Sequence, residues 1–345
     1  MPAYVPGRRG HNREAIKVSS NETALPPLPA VVDAAASAAA HANRYPDMFA
    51  TDLVNAIAEW RGTNPQEVVV GGGSVAVLGH VLQAFTQPGD EVVFAWRSFE
   101  AYPILVSVSG ATSVPVPLAE GGRHDLHAMA EAITPRTAVI IVCTPNNPTG
   151  TVVHRGEFDS FMERVPPHVL VVVDEAYVEF VSDPDALDGQ EARAQYPNVI
   201  TTRTFSKAWG LASLRVGYAC GNSELMAPIR ACVTPFSVSG PAQAAAYAAL
   251  TCEKEVMQRS ATVAADSAAL MQALRSDQWT VPDSCANFVW IPAGEHAEAL
   301  SAHLSAQSPA IVARAFAGDG VRITSGTSEE NAKIISGLRA FPDRF

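Results

Sequence analysis

The strongest constraint on how this chain folds is a series of short apolar runs, rich in valine and isoleucine, spread over residues 50–240. They stand at 67–70, 91–94, 138–142, 169–173 and 198–201. A strand with one wet face alternates apolar and polar side chains; these runs are nearly continuous, so both faces must be covered. Continuous burial of that kind belongs to a mainly parallel sheet, whose strands need crossover segments between them. Residues 52–61, 75–85, 126–133 and 157–165 have helical spacing and lie in those gaps. The pattern is α/β: a large domain with a mainly parallel sheet between helices.

Beyond about residue 240 the character changes. Alanine-rich helical stretches at 241–250 and 254–274 are followed by strands at 287–291, near Val312 and at 321–324, with helices at 297–306 and 329–340. That mixture reads as a smaller α+β domain. A chain of 345 residues exceeds what one ordinary core organises. The expected division is an N-terminal arm and helix at 1–43 packing with the small domain, a large domain at 44–240, and a small domain at 241–345.

The formal net charge of −11 leaves no basic stripe to neutralise phosphates, which argues against nucleic acid or an anionic membrane as partner. The five cysteines are scattered, with no CxxC spacing, so neither a disulfide framework nor a zinc site is expected. Residues 1–10 carry charge with no apolar run behind it, unlike a signal peptide. No apolar run approaches the ~20 residues of a membrane span. The expected location is the cytoplasm.

Three local motifs carry chemistry. In Thr204-Phe205-Ser206-Lys207, two hydroxyls precede a lysine, and Arg215 follows eight residues later. Taken singly, such a lysine is a surface residue. Beside hydroxyls and a guanidinium suited to a phosphate, it becomes an amine that loses its proton readily and attacks carbonyls. Asp174 ends the run 169–173, at the carboxyl edge where open α/β sheets bind ligands; its bland alternative is a helix N-cap. Tyr177, three residues on, can reach the same place or be a core tyrosine with a satisfied hydroxyl. Pro145-Asn146-Asn147-Pro148-Thr149-Gly150 follows the run 138–142 and puts Asn147 at that edge, with more asparagine than a turn requires. Gly71-Gly72-Gly73-Ser74-Val75-Ala76 joins a strand to a helix without GxGxxG spacing, and so reads as a cradle for one phosphate. Together these supply an amine, an acid for a pyridine nitrogen, donors for a ring oxygen and a phosphate site, which is what pyridoxal 5′-phosphate needs.

Over about residues 18–339 the chain resembles the fold-type I aminotransferases, and specifically the histidinol-phosphate aminotransferase group. Ser19-Ser20-Asn21-Glu22, Asn43-Arg44-Tyr45-Pro46-Asp47, Ala286-Asn287-Phe288 and Val321-Arg322-Ile323-Thr324-Ser325-Gly326-Thr327 are further strings of that family. The resemblance implies that Lys207 bonds the cofactor and acts as general base in a ping-pong transamination. It implies that Phe99 covers the pyridine ring, where most relatives have tyrosine. It also implies that Tyr45 reaches the neighbouring subunit's cofactor phosphate, and hence a homodimer with shared sites. Asn21 would line the substrate pocket, Arg322 would take the substrate carboxylate, and Arg314 would be a second substrate-side arginine or a solvated charge. The glycine loop lacks the family's acidic pair, leaving a main-chain cradle.

The strings 95–103 and 312–322 resemble the actinobacterial aromatic (phenylalanine) aminotransferase branch more than the histidine-biosynthetic one. That implies phenylalanine or tyrosine with a 2-oxo acid such as 2-oxoglutarate. Histidinol phosphate stays as the alternative, with Arg314 and Arg322 as its dianion site. The same fold and lysine also serve decarboxylases, β-lyases and acyl transferases, and a cofactor-binding regulator would need a DNA-binding segment.

Overall fold

Four of the five continuous apolar runs form the middle of a seven-stranded sheet, and the first, at 67–70, forms one of its edges. The computed structural model describes residues 15–345; the signal-peptide question at residues 1–10 and the first part of the 1–43 arm lie outside them. Chain order begins with β1 (Ile16–Lys17), α1 (Pro29–Ala39), α2 (Thr51–Trp60), β2 (Val68–Gly71), α3 (Ser74–Phe85), β3 (Glu91–Trp96), α4 (Ala101–Ser109) and β4 (Thr112–Pro117). It continues with α5 (Leu126–Glu131), β5 (Thr137–Cys143), α6 (Arg155–Met162), β6 (Leu170–Asp174), α7 (Gly189–Gln195), β7 (Val199–Thr204), β8 (Gly217–Cys220) and α8 (Ser223–Cys232). The sheet order is β2-β8-β7-β6-β5-β3-β4, and β8 runs against both its neighbours while the other pairings are parallel.

Every residue of β6 is buried, as expected of a strand covered on both faces. Alternate side chains supply two cores. Val93, Ile140, Val142, Val171 and Val173 pack with Met129, Phe158 and Phe161 on one face. Val92, Phe94, Val139, Ile141 and Val172 pack with Val77, Leu78, Val81, Leu82 and Tyr102 on the other. Each such side chain gains about 1.5–3 kcal/mol on leaving water, so these layers hold the carboxyl edge of the sheet in place.

Two strands of this seven-stranded sheet escaped the sequence reading. Edge strand β4 carries Pro115 and Pro117, and proline within a run ordinarily demotes it; only its one side is hydrogen-bonded, to β3, so the missing donors cost little. β8 is four residues long and starts at Gly217. Helix α4 was hidden by its β-branched composition, with Pro103 tolerated in its first turn.

The second half adds α9 (Gly240–Thr251), α10 (Glu253–Ser276), β9 (Phe288–Ile291), α11 (Ala297–Ser305), β10 (Ile311–Val312), β11 (Arg314–Phe316), β12 (Gly320–Thr324) and α12 (Ser328–Arg339). β11, β12 and β9 make an antiparallel sheet, and β1 pairs in parallel with β10. The arm and the helix expected at 1–43 join two different cores. Ile16 and Val18 join the C-terminal core with Leu270, Val289 and Ile323. Val31 of α1 instead packs with Leu53, Ala242, Ala245 and Tyr218, from α2, α9 and β8. Tyr177, Phe180, Ala286 and Phe288 bridge the two halves. Among the described residues no helix is long and apolar enough to cross a membrane.

Candidate active site

The residues singled out in the sequence converge because the chain leaves β2, β3, β5, β6 and β7 on one edge of the sheet. There a cavity of about 220 Å³ is lined by Ser74, Val75, Phe99, Asn147, Asp174, Tyr177, Thr204, Ser206, Lys207, Arg215, Arg314 and Arg322, among others.

Lys207 follows β7 by three residues and its Nζ donates to the Ser20 carbonyl oxygen at 3.0 Å. Burial, first, and then the nearby Arg322 charge pull its pKa down to about 7, with Arg215 adding and Glu22 opposing. Much of it is therefore neutral at physiological pH, as an amine that attacks a carbonyl must be. Arg215 sits close by in the left-handed region, at φ 57°. Its Nη1 donates to Ser206 Oγ and to the Ala212 carbonyl oxygen, both at 3.0 Å. Gly73 has φ 91°, and a Cβ there would overlap the Arg215 guanidinium. A Cβ at Gly217 would likewise overlap the backbone of Gly73 and Ser74. Glycine at both places lets the loop, the guanidinium and β8 close together. Gly73 caps α3 without a side-chain hydrogen bond, so the first N–H groups of that 12-residue helix keep their affinity for an anion.

Asp174, the last residue of β6, is buried between hydroxyl donors: Tyr102 Oη at 2.7 Å and Thr202 Oγ1 at 3.0 Å. Burial raises its pKa from the ordinary aspartate value, the two hydrogen bonds oppose that, and the Glu175 charge adds to it. Such a carboxylate is best satisfied by a cation placed against it. Tyr177 is buried beside it, its hydroxyl accepting from Asn21 Nδ2 at 2.9 Å, and burial raises its pKa above the ordinary tyrosine value. An amine, a buried acid and a glycine-backed anion cradle around one cavity fit pyridoxal phosphate: Lys207 for its carbonyl, Asp174 for its nitrogen, and Ser74, Ser206 and Arg215 for its phosphate.

The remaining wall comes from the small sheet. Arg314 and Arg322 are direct cross-strand partners, so both side chains leave the same face. Arg322 donates to Asn147 Oδ1 and to the Ser19 carbonyl oxygen, the latter at 2.7 Å. Its guanidinium lies 5.6 Å from both the Phe288 and Phe316 rings.

Of the residues expected from the sequence, Thr204 serves a local role as well as lining the cavity, its Oγ1 accepting from Ser206 N at 3.1 Å. Phe99 lines the cavity and meets Tyr102 edge-on at 5.6 Å. Asn21 touches the site through Tyr177, and its main chain donates to Thr324 Oγ1 at 2.9 Å. Tyr45 stands apart: it is 84% exposed, with its ring 4.7 Å from that of Phe236. Sequence reasoning missed Tyr102, Thr202, Glu100 and Phe316. Tyr102 and Thr202 are found only through their pairing with Asp174, which depends on α4 and on the β6–β7 register. The twin asparagines separate in role, because Asn146 is consumed by the loop, accepting from Ser98 Oγ and donating to Thr149 Oγ1.

The profile of the aminotransferase class I and II family matches residues 13–338. The chain is 49% identical, over 96% of its length and 92% of the relative's, to an aromatic amino acid aminotransferase of Streptomyces coelicolor. It is 45% identical to one of Thermobifida fusca, over 100% of this chain and 96% of the other. Among solved structures, a histidinol-phosphate aminotransferase of Sinorhizobium meliloti in complex with pyridoxal-5′-phosphate superposes with a TM-score of 0.87 at 27% identity, covering 94% of this chain and 90% of that one.

Proposed function

The chain belongs to the aminotransferase class I and II family, a transaminase with pyridoxal 5′-phosphate as cofactor, and from that premise we propose that it moves the amino group of phenylalanine or tyrosine to a 2-oxo acid such as 2-oxoglutarate. The observation that carries the reading is the meeting of Lys207, Asp174, Arg215 and Arg322 around one cavity.

The cofactor, when bound, supplies an electron sink for the charge left on the substrate α-carbon as its proton departs. The chain's own residues supply the rest. Arg215, Ser206, Ser74 and the first N–H groups of α3 hold the phosphate. Asp174, kept in place by Tyr102 and Thr202, offers its carboxylate to the ring nitrogen, and Asn147 and Tyr177 serve the ring oxygen. Phe99 covers the ring. Arg322 receives the substrate carboxylate with its planar fork. Lys207, neutral near pH 7, takes the α-proton and returns it elsewhere as general base and acid. Asn21 and Arg314 belong to the substrate's side of the cavity.

The protein works as a homodimer in this reading. Seven large apolar side chains are exposed among the described residues, and six of them (Val32, Tyr45, Met48, Phe49, Phe236 and Tyr247) belong to α1, the α1–α2 connection, the turn after α8, and α9. A patch of that kind suits a second copy, with Tyr45 delivered to the neighbouring phosphate. The protein acts in the cytoplasm.

Histidinol phosphate is the second reading, supported by the adjacent Arg314 and Arg322. A single-turnover titration separates the two, following the visible absorbance of the lysine-bound cofactor. Rapid bleaching by phenylalanine and not by histidinol phosphate is the expected result. The reverse preference moves the protein to the second reading, and no bleaching by either removes both.

A further inference from the structure

Three guanidiniums surround the Phe316 ring: Arg314 at 5.3 Å, Arg322 at 5.6 Å and Arg97 at 5.9 Å from its centroid. Two of them are tied to acids, Arg97 to Asp319 and Arg314 to Glu100, the latter at 2.8 Å. Glu100 immediately precedes α4, where a short acidic side chain can turn back to the free N–H groups of the helix. It makes no such bond; its side chain crosses instead to an arginine 214 positions away. The pair is largely shielded, with Arg314 11% and Glu100 25% exposed, and both residues line the cavity.

We infer that Glu100 is a specificity-determining residue: by holding Arg314 it withholds that guanidinium from an anionic substrate side chain and leaves the far end of the cavity to a flat apolar one. A phosphate or second carboxylate entering there must displace the Glu100 carboxylate and then sit beside it. Like charges so placed in a shielded site cost more than the shared arginine returns. An aromatic side chain asks nothing of the Arg314 charge. It can lie against Phe316 and against the face of the Arg314 guanidinium, whose edge Glu100 engages. The discrimination is therefore built mainly as a repulsive element rather than as extra attraction for the ring. The inference rests on the aromatic reading and deepens it.

The test is E100Q, which keeps the shape and removes the charge. Values of kcat/KM for phenylalanine and for histidinol phosphate are measured on the loaded wild type, E100Q, R314A and the double variant. The ratio of histidinol phosphate to phenylalanine should rise about tenfold in E100Q and lose that gain in E100Q/R314A. Inhibition constants for succinate and 3-phenylpropionate give a second measurement on the same proteins, and E100Q should tighten succinate selectively. An unchanged ratio in E100Q, or a gain that survives the loss of Arg314, overturns the inference. Failure of the aromatic reading looks different, because the wild type itself then prefers histidinol phosphate. In that case a fall of its kcat/KM in E100Q overturns the inference as well, whereas a rise keeps Glu100 as a brake on anions.

Discussion

The two ends of the cavity are built by opposite strategies. The end holding Lys207, Asp174, Ser206, Arg215 and Gly73 is built from strand exits and the entry to β8 at one edge of the sheet, each residue within a few positions of a buried strand. The end holding Arg314, Arg322, Phe316 and Glu100 is assembled across elements, from a small antiparallel sheet, the start of α4 and the segment at Ser19–Asn21. The first end has its chemistry fixed by strand placement and should tolerate little change for any substrate. The second is set by pairwise charge contacts and should move specificity without removing the reaction.

Variants sharpen this contrast in order of expected effect. If Lys207 has its proposed roles, Lys207→Ala should lower kcat by about four orders of magnitude for every amino acid tested, since both covalent attachment and proton transfer would go; steady-state turnover with several donors checks the uniformity. In the wild type the same residue sets a pH dependence. With its pKa held near 7, capture of the cofactor by the apoprotein should rise through about pH 7 and level off above it, read from visible absorbance against pH. A rise centred near the ordinary lysine value would remove the burial argument.

Under the proposed role of Arg322, Arg322→Ala should reduce kcat/KM about a hundredfold while leaving cofactor absorbance intact, because the substrate carboxylate would lose its fork while the other end stays whole. Equal loss of cofactor would join the two ends and break the contrast. Tyr102→Phe should lower kcat about tenfold with KM little changed, the scale of one hydrogen bond to a charged group. Its hydroxyl lowers the Asp174 pKa, so removing it lets that pKa rise further. The acid limb of the kcat profile should then move to higher pH, and an unmoved limb would reduce Tyr102 to packing.

The legible part of the molecule follows this division. Runs such as Val169–Val173 could be recognised as doubly covered strands because continuous apolar burial leaves a composition mark along the chain. The residues just past them, Asp174 and Asn147, inherited their position from that mark. Lys207, Ser206 and Arg215 were legible because in this chain a lysine, a hydroxyl and a guanidinium suited to a phosphate fall within one short string. β4 and β8 were not, because prolines at an unpaired edge and a four-residue reversed strand leave no periodic signal. Tyr45 was named from resemblance alone, and its place on an exposed apolar patch was not deducible from its neighbours.

By itself the sequence determined the layered α/β class, the parallel centre and the gathering of Asp174, Ser206, Lys207 and Arg215 at one edge of the sheet, since these depend on local periodicity and on short strings of donors. Tertiary structure alone decided that Tyr102 and Thr202 hold Asp174, that Arg314 and Arg322 stand side by side, and that Glu100 occupies Arg314. The physical reason is range: hydrophobic period and turn chemistry act over a few residues, whereas a hydrogen bond or ion pair depends on distance in space and is indifferent to the 214 positions of chain between its partners.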